Sequence, residues 1–221
     1  METKKILLIV AHPDDETVCA GTLIKQINKG AEVTEIIMTG AEEGGSDASV
    51  RRKEMLKASK FLGMKEVIFM EQPDLGLTYS KELMLRVVKE VRKIKPDWAI
   101  LMYKEDFHPD HRAAFQIGIE AVKWAASGVR PEIGAHHRTG MITMMGGMWP
   151  TRPDLLVDVT DVVEKKMGML KLHGSQVNKK LEDFERGSMA VYGYHLRTPE
   201  GRMAETFEFC SEFPSIKLIE L

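Results

Sequence analysis

Near its N-terminus the chain reads Lys5-Ile6-Leu7-Leu8-Ile9-Val10-Ala11-His12-Pro13-Asp14-Asp15-Glu16. The first part, Ile6 to Val10, is an unbroken run of leucine and β-branched residues, the composition of a strand covered on both faces. The second part changes at once to an imidazole, a proline and three acids. In open α/β sheets ligands bind at the carboxyl ends of the strands, so a buried strand ending in this cluster marks a candidate site.

Downstream, apolar runs alternate with amphipathic stretches. Residues 17–28 carry Val18, Leu23, Ile24 and Ile27 at helical spacing, with Gly30 as the stop. Residues 33–38 read as a second strand. Ser46 or Asp47 caps a helix whose stripe is Val50, Met55, Ala58 and Leu62, ended by Gly63. A third strand follows at 67–70. Ser80, with Glu82 behind it, opens a helix through Val87, Val88 and Val91 that must stop before Pro96. A fourth strand spans 98–103 and a long helix 109–126. Four such alternations predict an α/β, Rossmann-like three-layer fold with a mostly parallel sheet. Residues 1–221 are expected to form a single domain, with a Rossmann-like core to about 127 and pocket-flanking and C-terminal elements from about 128. Residues 127–153, rich in Gly and Pro, read as irregular apart from a strand at 141–145. A strand at 155–159 and a helix at 161–172 come after. The methionines Met141, Met144, Met145 and Met148 read as adaptable core or interface.

Composition narrows the classes of function. The 221 residues are 43% hydrophobic and 29% charged, which excludes a disordered chain. Thirty-one Lys and Arg against 33 Asp and Glu leave a net charge of -2, without the basic surface that nucleic acid or anionic lipid requires. Two cysteines make no disulfide framework, and Cys19 reads as a small buried hydrophobe. Six apolar residues after Lys4 and Lys5 are too few for a signal-peptide core or a membrane span, so a cytoplasmic location is expected.

The chemistry is concentrated in two motifs, each directly after a predicted strand: Ala11-His12-Pro13-Asp14-Asp15-Glu16 and Phe107-His108-Pro109-Asp110-His111. Strands one and four flank the switch point in the common strand order, so the two motifs meet in one crevice. Crowding imidazoles and carboxylates together is costly unless a cation holds them. A catalytic zinc site takes three N or O ligands and leaves one position for water, and His12, Asp15 and His111 supply that number. Pro109 suits the first helical position with His108 at the cap. The remaining groups become catalytic: Asp14 as general base, His108 as proton carrier to a leaving amine, and Asp110 to orient and charge His108.

The two motifs together resemble the PIG-L/LmbE-like superfamily of zinc-dependent N-acetylglucosaminyl deacetylases. Corroborating positions cover most of the chain: Gly21-Thr22, Thr39-Gly40, Arg51-x-x-Glu54 with Ala58 and Leu62-Gly63, and Asp74-Leu75. In the C-terminal third, Val157-Asp158-Val159-Thr160-Asp161, Lys165 or Lys166, His173-Gly174-Ser175-Gln176 and Ala204-Glu205-Thr206-Phe207 fit as well. The resemblance implies a metal-dependent amidohydrolase that removes an N-acetyl group from an N-acetylglucosamine-containing small molecule. It implies zinc, or another divalent transition metal, on His12, Asp15 and His111, with Asp14 as base and His108 as acid or oxyanion stabiliser tuned by Asp110. It further implies sugar contacts from Arg51 and Asp74, and a homo-oligomer, trimer or hexamer. Residues 135–149 lack the tyrosine that some members offer to the oxyanion, which leaves that role to His108. His136, His137 and His173 are not assigned by sequence.

Two other classes compete. A metal-dependent phosphoesterase needs bridging carboxylates and a basic phosphate cradle, and neither is evident. A nucleotide-binding module needs G-x-G-x-x-G after the first strand, where this chain has acids that repel a pyrophosphate. The identity of the acyl substrate is left open, because the outer loops decide it.

Overall fold

The computed structural model describes residues 4–146, 152–196, 198 and 201–210. Seven strands form one sheet: β1 (Lys5–Val10), β2 (Glu32–Thr39), β3 (Glu66–Gln72), β4 (Trp98–Leu101), β5 (Met141–Met145), β6 (Leu155–Asp158) and β7 (Ala204–Phe209). Their order is β3-β2-β1-β4-β5-β7-β6. β7 runs antiparallel to both neighbours, and the pairs from β3 to β5 are all parallel. Among the described residues, six α-helices accompany the sheet: α1 (Ala20–Asn28), α2 (Ala48–Leu62), α3 (Lys81–Ile94), α4 (Pro109–Ala125), α5 (Val163–Leu170) and α6 (Lys179–Gly193).

Ile6 to Val10 are completely buried, as expected for a strand with β2 on one side, β4 on the other and helices over both faces. α3 packs against α4, while α1, α2 and α5 share a second apolar cluster built on Ala20, Ile24, Ala58, Leu62, Met167 and Leu170. From β1 the chain winds out through β2 to β3, then returns to β4 on the opposite side of β1. The turns after β1 and β4 therefore diverge and leave a crevice between them, the switch point of a doubly wound sheet.

Several local expectations are corrected. The segment after β1 enters its helix through a 3-10 turn (Asp15–Cys19), so α1 begins only at Ala20. β4 stops at Leu101 because its pairing with β1 ends at Ile9↔Leu101; beyond it the chain turns into the site. The 161–172 helix divides into a 3-10 turn (Thr160–Val162) and α5. On α2, Val50 is exposed and its neighbour Arg51 is buried. α6 and β7 escaped the sequence reading: α6 is largely polar with two glycines, and β7 buries a glutamate, Glu205, at its second position. Met144 and Met145 lie in β5 and are buried in the core, whereas Met148 falls in 147–151, outside the described residues. Among the described residues, no helix is long and apolar enough to cross a membrane.

Candidate active site

The two predicted motifs do converge at the carboxyl ends of β1 and β4. His12 Nδ1 lies 3.2 Å from His111 Nε2 and 3.7 Å from Asp15 Oδ2, and His111 Nε2 lies 3.3 Å from Asp15 Oδ1. Three ligands about 2.0–2.2 Å from a tetrahedral ion sit roughly 3.3–3.5 Å apart, so these atoms already have the spacing of a coordination triangle. The outer nitrogens fit as well. His12 Nε2 faces Asp74 Oδ1 at 3.1 Å and Asp110 Oδ2 at 3.4 Å, and His111 Nδ1 faces Asp106 Oδ2 at 3.2 Å. A carboxylate thus stands behind each imidazole, an arrangement that raises the basicity of a histidine.

Two other donor groupings are close enough to hold an ion, His12-His108-His111 and His12-Asp74-Asp110. The latter is already satisfied from within. Asp110 accepts from the Leu75 and Leu77 amides, and Asp74 accepts from those of Glu43 and Leu75. The charge state favours the His12-Asp15-His111 triangle. Burial opposes ionisation of both groups, yet His111 and His12 hold Asp15 well below the usual carboxylate range, and Asp15 with Asp106 pushes His111 up to about 10. The field at this point favours positive charge, which a divalent ion satisfies.

Asp14 and His108 flank this triangle. Asp14 is the residue before the 3-10 turn, and its backbone has φ 115° and ψ -14°, a conformation rare for a residue with a Cβ. Its Oδ2 lies 2.9 Å from Arg51 Nη2, which also donates to Pro13 O. Burial raises the Asp14 carboxyl to about 7, against the pull of Arg51. His108 caps α4, and its Nδ1 accepts the Asp110 backbone N–H at 3.2 Å. A backbone amide can only donate, so Nδ1 is unprotonated and the neutral ring carries its proton on Nε2. Burial, then the neighbouring His12 and His111, lower the pKa of His108.

The expected role of Asp110 is seen in part. Its carboxylate is buried on His12 and the Leu75 and Leu77 amides and makes no hydrogen bond to the His108 ring, which only its backbone N–H meets, but its charge still pulls the His108 pKa upward against the larger effect of burial. Asp74, expected at the sugar, stands behind His12, and Arg51 is committed to Asp14 and to two carbonyls, although both border the cavity. That cavity holds about 320 Å³ and is lined by His12, Asp14, Asp15, His108 and His111 together with Glu43, Gly44, Arg51, Asp74 and Leu75. Its described lining comes from residues 12–111. His137 bonds to Pro96 O just before β4, at the opposite end of that strand from the site, and His136 is exposed outside the lining.

Sequence reasoning missed Asp106, Glu16 and the placement of His173. Asp106 Oδ1 accepts the His108 amide while its other oxygen faces His111. An acid immediately before the second motif was the available signal. Glu16 and His173 form a fully buried pair at 2.7 Å.

The chain is similar to known proteins over most of its length. The family model described as PIG-L, GlcNAc-PI de-N-acetylase, matches residues 7–122, which include both motifs. The diacetylchitobiose deacetylase of Thermococcus kodakarensis is 30% identical over 223 residues, covering 94% of this chain and 84% of that protein. A probable N-acetyl-alpha-D-glucosaminyl L-malate deacetylase 2 of Bacillus anthracis is 27% identical, covering 83% of this chain and 86% of its own. The solved structure of N,N'-diacetylchitobiose deacetylase from Pyrococcus horikoshii superposes with a TM-score of 0.83 at 28% identity, over 95% of this chain and 84% of that one.

Proposed function

This chain belongs to the PIG-L, GlcNAc-PI de-N-acetylase family, and from that premise we propose that it hydrolyses the N-acetyl group of an N-acetylglucosamine-containing small molecule, using zinc held by His12, Asp15 and His111. The observation that carries this reading is the triangle of donor atoms at 3.2–3.7 Å with a carboxylate behind each imidazole. When bound, the ion supplies Lewis acidity towards the acyl oxygen and a lowered pKa for a water in the site.

The side chains supply the remainder. Asp14, with a pKa near 7 and its carboxylate held by Arg51, accepts a proton from the attacking water. It delivers that proton to the amine nitrogen as the C–N bond breaks, so that water and amide become acetate and amine. His108, neutral with its proton on Nε2, donates a hydrogen bond to the acyl oxygen as negative charge develops there. Asp110 and Asp74 hold His12, and Asp106 holds His111 and the amide of His108. Leu75 and Phe107, both more than half exposed beside the site, offer apolar contact to the part of the substrate beyond the acetamide. A phosphoester fits poorly, because Asp14, Asp15, Glu43 and Asp74 line the cavity and Arg51 is already paired.

The test is acetate release from N,N'-diacetylchitobiose and from the malate and inositol glycosides of N-acetylglucosamine, with metal analysis of the same sample. At least one substrate should release one acetate per amine formed. A chelator should stop turnover and added zinc should restore it. No acetate from any of them by the metal-loaded protein rejects the reading.

A further inference from the structure

We propose that His173 and Glu16 are positioning residues that hold Asp14 in its working geometry, a proposal that rests on Asp14 being the general base. Glu16 is 0% and His173 1% exposed, and His173 Nε2 meets Glu16 Oε1 at 2.7 Å. Neither residue lines the cavity, so neither touches substrate. The second oxygen of Glu16 accepts the backbone N–H of Asp14 at 3.1 Å. That amide belongs to the residue with φ 115°, and a strained backbone of this kind persists only where its surroundings over-determine it. Glu16 holds the Asp14 amide, Thr17 donates to the Asp14 carbonyl at 3.0 Å, and Arg51 grips both the Asp14 carboxylate and Pro13 O.

His173 is the distant member of this set. It sits in the turn after α5, where its own amide bonds to Leu170 O and its carbonyl accepts from Gln176. A buried glutamate without a partner loses its charge or its position. His173 therefore keeps Glu16 as a fixed acceptor, and through it the C-terminal third of the chain sets the direction of a carboxylate at the mouth of β1. A misplacement of about 1 Å at a reacting group can cost around 10²-fold in rate, so the effect should appear in turnover rather than in substrate or metal binding.

The experiment is a double-mutant cycle on the metal-loaded protein. His173→Leu should lower kcat by about 10–100-fold, leave KM within about twofold and retain full metal. His173→Gln, whose amide still donates to Glu16, should stay within about fivefold of the parent. In an Asp14→Asn background, itself slower by roughly 10²–10⁴, His173→Leu should have no further effect, because no base remains to be aimed. Should His173→Leu fail to fold, Glu16→Gln/His173→Leu removes the buried charge altogether and should show the same loss of kcat. An equal proportional loss in the parent and the Asp14→Asn background would make the pair a structural cross-link and overturn the proposal, as would full kcat in either folded variant. Full activity of Asp14→Asn would instead reject the base assignment beneath it.

Discussion

Two clusters of buried charge stand on the same sheet and do different things. One is the His12-Asp15-His111 triangle with its outer carboxylates; the other joins Lys166 to Glu185 and Glu205 at 3.0 and 2.9 Å. In the second cluster the lysine and Glu205 are bonded on all sides. Lys166 also donates to Val18 O, and Glu205 accepts from the Gly21 and Thr22 amides and the Thr22 hydroxyl at the start of α1. Burial opposes the lysine's charge, but Glu185 and Glu205 raise its pKa all the same. In the first cluster His12, Asp15 and His111 meet one another beside a cavity of about 320 Å³ that they help to line. Burial of charge is common to both. What distinguishes the first is that its groups border open space.

The sharpest way to break this comparison is to remove a group from each cluster and ask whether metal or stability is lost. His111→Ala should release bound metal and cut turnover by more than roughly the 10²–10⁴ expected of losing a general base. The fold should persist, because the core of β1 does not depend on that side chain. Elemental analysis with acetate assays checks this, and full occupancy in the variant would dismiss the triangle.

Lys166→Ala should do the opposite. It leaves two buried glutamates facing each other and should cost about 3–5 kcal/mol in urea unfolding, while the folded fraction keeps its metal and its kcat. A fall in kcat without loss of stability would mean that this cluster also serves the reaction.

A smaller effect is expected from Asp106→Asn. The asparagine can still accept the His108 amide but no longer places a negative charge behind His111, so metal affinity should fall by roughly 10–100-fold in competition with a chelator. Unchanged affinity would show that Asp106 supports only the turn.

The smallest effect sharpens the contrast with a third buried charge. Glu35, on β2, is 0% exposed, and neither of its carboxylate oxygens has a partner among the described residues. Burial first, then Glu16, Asp15 and Asp14, raise its pKa well above the ordinary value of 4.5. The folded protein thus keeps a proton that the unfolded chain releases above that value, and this site's contribution to stability falls as pH rises from about 4.5 towards the folded pKa. Glu35→Met should raise stability at neutral pH by about 1–3 kcal/mol and flatten that pH dependence in denaturant titrations. A destabilised Glu35→Met would mean that the carboxyl has an internal partner, such as a bound water.

Much of this was legible in sequence because it rests on short-range signals. An all-apolar run marked β1, Asp47 and Ser80 announced helix starts that they do cap, and Pro109 sits at the first turn of α4 as its fixed φ favours. The motif residues His12, Asp15, His108 and His111 were readable because each motif lies beyond the carboxyl end of a strand whose neighbours in the sheet could be inferred, although the second begins several residues past Leu101. α6 and β7 were not readable: their buried polar groups, Glu185 and Glu205, find a partner only in Lys166, which sits on α5.

By itself the sequence determined the parallel core, the crevice between β1 and β4 and the set of ionisable groups delivered to it, since periodicity and turn chemistry act within a few residues. Only the tertiary structure decided what each group faces. It set the Asp110 carboxylate against His12, paired Arg51 with Asp14 at the border of the cavity, and brought His173 across 157 residues of chain to Glu16. Hydrogen bonds and ion pairs are settled by distances of a few tenths of an ångström between side chains. Such distances come from the packing of whole elements on the sheet, which no local pattern encodes.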